Sequence, residues 1–199
     1  MKINFDLNKL GPIQRKRWRI TYHEIGHVIA YIHCNYPFDY VTIVRNGNVA
    51  GHVKSPDLDE SNLTVQELET CSIILLAGEA IDRRLFGSHN FWQCGGGRDF
   101  HELRRLHKLK SESAVAGSRR ASHFSRPYRK VCAILTRYEK EIHVLAHELK
   151  KKKTLTYNEV REILLRVDQT QVMFKGEISK RHRRNLYLNS SCQIDDLPF

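Results

Sequence analysis

Apolar residues recur at helical spacing at Ile25, Val28, Ile29 and Ile32, which predicts a helix with one buried face. Pro12 suits the first turn of that helix, and the helix must stop before Pro37. The period then changes. YVTIV and NVAGHV are extended runs on either side of Asn46-Gly47, a pattern that predicts a hairpin over residues 41–53. Helical spacing returns in TVQELETCSIILLAGEAIDRRLF, which is apolar enough through its middle to be largely buried. Thr64 is placed to cap this helix with Glu67 as its capping-box partner, and Gly87 ends it. SHNFWQCGGG reads as a glycine-rich loop, and a further helix starts near Arg98 or Asp99 and continues through FHELRRLHKLK.

After a break near AVAGSRRASHFSRP, Pro127 opens one long helix that ends in the run Lys150–Lys153. TLTYNEVREILLR reads as a short final helix, with Thr156 as cap and Glu159 at the box position. From about residue 170 the chain is polar, basic and without apolar period, which predicts a loosely ordered tail. The pattern as a whole predicts a mainly α fold of the α+β class. It comprises a helical domain over residues 1–168, with a small β-hairpin and a C-terminal helical segment, then a basic tail over 169–199.

Composition narrows the setting. A hydrophobic share of 41% fits a globular core. MKINFDLNKL lacks the apolar run of a signal peptide, and SIILLAGEAI falls short of the roughly 18 residues of a membrane span. A soluble, cytoplasmic protein is expected. The five cysteines are odd in number and form no C-x-x-C pair, which points to reduced thiols. Charge is divided unevenly. Residues 1–97 hold 10 Lys/Arg and 10 Asp/Glu, whereas residues 98–199 hold 23 and 12, so the whole excess of +11 lies in the second half. No aromatic interleaving accompanies Lys150–Lys153 or the KRHRR run at 180–184. These read as solvated faces or a partner-docking tail, and nucleic acid is not the expected partner.

The chemistry is concentrated in ITYHEIGHVIAYIH, residues 20–33. His23 and His27 are four apart on the predicted helix, so both imidazoles project from one face. Glu24 lies about 100° round from His23, close enough to act on a metal-held water without binding the metal itself. That is the physical content of H-E-x-x-H. The implied metal is Zn²⁺, which lowers the pKa of a water it binds to about 7. Glu24 then serves as general base. A catalytic zinc needs a third protein ligand. Glu79 and Asp82 on the next long helix, and Asp99 after the glycines, are the candidates. Glycines let the backbone of Asp99 approach a crowded site, while an acid on a second helix is the more usual arrangement. The pattern leaves Glu79 and Asp99 level. Asp82 is also a candidate acceptor behind a ligand imidazole, or the partner of a neighbouring arginine. His89, Trp92 and Cys94 flank or line the glycine loop, and the hairpin offers an edge for a peptide to pair with.

YHEIGH, VTIVRNGNVAGHV, LLAGEAIDRRLFG and GGGRDFHEL, in that order, resemble the peptidase domain of the FtsH family of zinc metalloproteases, the M41 peptidases. The likeness continues through VCAILTRYEKEIHVLAHELKKKKTLTYNEVREIL and spans roughly residues 20–165. It implies a zincin-like helical domain in which Asp99 joins His23 and His27 as the third zinc ligand and Glu24 is the catalyst. Two departures stand out. Glu79 occupies a position where the family has arginine, and Asp82 and Arg83 stand where it has two glutamates. The sequence contains no P-loop G-x-x-x-x-G-K-[ST], so an ATPase or other partner protein would act in trans. The expected function is zinc-dependent cleavage of flexible or unfolded polypeptide segments. The competing reading is a protease-derived adaptor or regulator that binds a partner or nucleic acid through its basic half.

Overall fold

Pro12 takes the first position of helix α1 (Pro12–His33), where its missing N–H leaves no bond unmade. The helix closes at Cys34, whose N–H reaches the Ala30 carbonyl at 2.9 Å, and Asn35 turns the chain away in the left-handed region at φ 51°. The computed structural model describes residues 7–56, 63–87, 96–111 and 124–175.

The predicted hairpin is present as β1 (Tyr40–Thr42) and β2 (His52–Lys54), with Val41 opposite Val53. An Asn46–Val49 bridge closes its turn, where Gly47 has φ 56°. A third strand, β3 (Thr154–Thr156), pairs antiparallel with the other side of β1, so the sheet order is β2-β1-β3. The sequence reading assigned these residues to the start of the final helix. Lys153 explains the difference. It adopts φ 72°, reverses the chain at the end of a helix, and offers its carbonyl to Ile43 N at 2.9 Å and Thr42 Oγ1 at 3.2 Å. A left-handed non-glycine residue costs about 1–2 kcal/mol, and these two bonds offset it.

Helix α2 (Val65–Phe86) begins with the capping box read from the sequence. Glu67 N donates to Thr64 Oγ1 at 3.1 Å, and Thr64 N donates to Glu67 Oε2 at 2.7 Å. It ends at Gly87 with φ 63°. Helix α3 (Gly96–Ser111) starts ahead of Arg98. The single long helix expected from Pro127 is two: α4 (Ser125–Arg137) and α5 (Glu139–Lys152) meet at Tyr138, which is buried with its ring edge-on to His33. Helix α6 (Tyr157–Lys175) runs past residue 168, and the tail from 176 lies outside the described residues. The architecture is mainly α with a small antiparallel sheet. No helix among the described residues is long and apolar enough to cross a membrane.

α1 packs against both α2 and α5, and Tyr22, Ile25, Val28 and Ile29 are fully buried in the common core with Ile81, Leu145 and Leu149. Each such side chain contributes about 1.5–3 kcal/mol on burial. Against α2 the approach is closer than side chains allow. A Cβ on Gly26 would stand 2.7 Å from the Ala77 carbonyl oxygen. The two helices therefore meet backbone to backbone, and this contact sets the site.

Candidate metal centre

His23, Glu24 and His27 are each only 7% exposed, on the stretch of α1 that faces α2. Each imidazole is held by its inner nitrogen. His23 Nδ1 donates to Asp82 Oδ2 at 3.2 Å, and His27 Nδ1 donates to the Ile74 carbonyl at 2.8 Å. A carboxylate and a carbonyl can only accept, so both Nδ1 atoms carry a proton, and Nε2 is the nitrogen of each ring that could bind a metal on giving up its own. Those Nε2 atoms converge on Asp99 Oδ2, at 3.2 Å from His23 and 3.4 Å from His27. His23, His27 and Asp99 offer donor atoms that all lie within 4.8 Å of one another, a group of three among the described residues that could hold a metal ion.

Gly78 makes room for this convergence. A Cβ there would lie 2.5 Å from His27 Nε2 and 2.6 Å from His23 Nε2. No side chain fits beneath the two nitrogens, and the concave space is lined by two imidazoles and a carboxylate. Two nitrogens, one oxygen and fixed inner partners suit Zn²⁺. The residues present therefore fit the metal that the motif implies.

The electrostatics follow from burial and proximity. Burial works against a charge on His23, yet its hydrogen bonds to Asp82 and Asp99 outweigh it and hold its proton affinity well above the ordinary histidine value. Burial likewise disfavours a charged His27, and Asp99 reverses that balance upward. For Asp99, burial raises the pKa, but His27 and His23 together drive it well below the usual carboxylate range. Glu24 moves the other way. Burial raises its pKa and the two histidines only partly restore it.

Asp82 is fully buried, and Arg19 Nε, from one turn before His23 on α1, reaches its Oδ2 at 3.1 Å. Asp82 therefore meets the imidazole of His23, and its arginine partner is Arg19 of α1 rather than a neighbour on its own helix. Glu79 is engaged elsewhere, with Oε1 at 2.8 Å from Arg83 Nε. β2 reaches the site through Gly51, where a Cβ would be 2.8 Å from Glu24 Oε1. β2 is an outer strand of the sheet among the described residues, and Gly51 just before it lies beside Glu24. Sequence reasoning missed Gly51, Gly78 and Arg19. Gly78 did carry a signal, because a glycine inside a helix costs about 1 kcal/mol and asks for a packing reason. His89, Trp92 and Cys94 lie outside the described residues. His52 pairs with Tyr40 and His107 with Ser72.

No family model matches the chain. Over 168 residues it is 25% identical to the ATP-dependent zinc metalloprotease FTSH 9, chloroplastic/mitochondrial, of Oryza sativa subsp. japonica, covering 72% of this chain and 21% of that protein. Over 169 residues it is 25% identical to FTSH 11 of Arabidopsis thaliana, described in the same terms, with 73% and 21% covered. The chain spans about a fifth of the length of these relatives, and its similarity to FtsH zinc metalloproteases is distant.

Proposed function

We propose that this chain is a zinc-dependent endopeptidase acting on flexible or unfolded polypeptide segments. In this reading His23, His27 and Asp99 hold the metal and Glu24 is the general base. One observation carries it: two imidazole Nε2 atoms and a carboxylate share one point on a face that also bears a buried glutamate. Zinc held there supplies a Lewis acid for the scissile carbonyl and makes a water acidic enough to attack near neutral pH.

The chain's own groups do the rest. Asp82 and the Ile74 carbonyl hold the Nδ1 proton of each ring, so that Nε2 is the nitrogen offered to the metal. Glu24 accepts the proton of the attacking water and returns it to the departing amine. The outer strand β2 aligns the substrate main chain by hydrogen bonds that read no particular sequence. The ATP dependence in the relatives' names enters only for folded substrates, which would need an unfoldase. The test is zinc content and cleavage of an unstructured protein by the wild type and Glu24→Gln. Zinc in both with cleavage only in the wild type is expected; equal cleavage sinks the catalytic role.

A further inference from the structure

Asp82 has no exposure to water, and one oxygen carries both of the hydrogen bonds it makes among the described residues. Oδ2 accepts from His23 Nδ1 at 3.2 Å and from Arg19 Nε at 3.1 Å. Oδ1 is buried and has no hydrogen-bond partner among the described residues. Both donors come from α1, one turn apart, so one face of that helix closes on one oxygen of α2. A buried carboxylate needs a counter-charge. Arg19 supplies it, and a guanidinium keeps its charge at every ordinary pH. The terminal torsion of an aspartate is broad, and Oδ1 does nothing to restrain it. Besides the imidazole itself, Arg19 Nε is therefore the contact that holds Oδ2 in place.

We propose that Arg19 is a positioning residue of the metal centre. It supplies the charge and the hydrogen bond that keep Asp82 Oδ2 behind His23 Nδ1, and Asp82 in turn fixes the ring that offers Nε2 to the metal. Resting on the zinc reading above, the order from the surface inward is Arg19, Asp82, His23 and zinc.

Two features separate this role from that of a bridge between helices. The close approach of α1 to α2 is set at Gly26 and Ala77, about two turns beyond Arg19, so the helices do not depend on the arginine for their spacing. Arg83 offers the contrast within α2. Its Nε holds Glu79 Oε1 at 2.8 Å, and Glu79 also has one buried oxygen without a partner, yet among the described residues Glu79 makes no hydrogen bond to an imidazole. The two arginines hold two buried acids in the same manner, and only Arg19 has a metal ligand on the far side of its acid.

The experiment is a double-mutant cycle on zinc affinity, measured by competition with a chromophoric chelator, for Arg19→Met, Asp82→Ala and the two together. Asp82→Ala is expected to weaken zinc at least about tenfold, and Arg19→Met about tenfold. With Asp82 already gone, Arg19→Met should change the affinity by less than about twofold, because it acts through that carboxylate. Arg83→Met should leave zinc affinity at the wild-type value. Zinc added to the wild type should also shift the NMR resonance of Arg19 Nε–H and spare that of Arg83 Nε–H, a readout that needs no variant to fold. Losses that add in the double variant, an effect of Arg83→Met equal to that of Arg19→Met, or an Arg19 Nε–H signal indifferent to zinc would each overturn the proposal. Zinc bound through this relay without cleavage by the wild type would reject the peptidase reading alone. Cleavage by the wild type with additive losses would reject this proposal alone, and a wild type that binds no zinc would overturn both.

Discussion

Glu79 and Asp82 are two buried acids three residues apart on α2, about 60° apart round its axis. Each pairs with an arginine, and each leaves one buried oxygen without a hydrogen-bond partner among the described residues. Only Asp82 touches an imidazole of the site. The difference arises from what stands opposite. Asp82 faces α1, which supplies Arg19 and His23, whereas Glu79 is answered from its own helix by Arg83. Burial and closeness to the motif in sequence do not make an acid part of a metal centre; the facing helix decides. The pair Glu79–Arg83 is an i,i+4 ion pair within α2.

The sharpest way to break this comparison is to exchange which acid matters for the metal. Asp99→Ala removes the shared oxygen and should weaken zinc binding about a hundredfold or more, more than loss of any supporting group. The same change at Glu79 should leave zinc affinity unaltered in titration calorimetry. Gly78→Ala comes next. Its methyl would fall 2.5 Å from His27 Nε2, so zinc affinity should drop steeply, with overpacking costing about 1–3 kcal/mol in denaturant unfolding. Asp82→Asn keeps the shape and removes the charge behind His23, and should weaken zinc about tenfold. Glu79→Gln should lower stability by about 1 kcal/mol and spare the metal.

The smallest effect lies away from both acids. Burial, reinforced by Arg137, depresses His33 to about 4. The unfolded chain therefore takes up this proton first as pH falls, so stability from His33 is whole above about pH 6.5 and declines toward about pH 4. His33→Gln should flatten that part of a melting-temperature profile by a few degrees.

Most of the frame was legible because it is local. The Thr64–Glu67 box, Gly87 and the Asn46-Gly47 turn each announce themselves in a few residues, and the structure keeps all three. β3 was not legible. Three residues carry little period, and the reversal before them is made by Lys153, which bears no glycine signal and is supported by bonds from residues more than a hundred positions away. The break at Tyr138 was hidden for a similar reason, since neither proline nor glycine stands there. In the site, His23, Glu24 and His27 could be read from helical spacing. Choosing between Asp99 and Glu79 needed either the family likeness or the packing, because both acids are plausible in a one-dimensional pattern. Arg19 and Gly51 act only through neighbours brought together by the fold.

The most direct test of the central claim is an anomalous diffraction map at the zinc edge from crystals of the zinc-loaded protein. One peak about 2.0–2.2 Å from His23 Nε2, His27 Nε2 and an Asp99 oxygen is predicted. A peak that takes Glu79 in place of Asp99, or no peak between the two histidines, would contradict it.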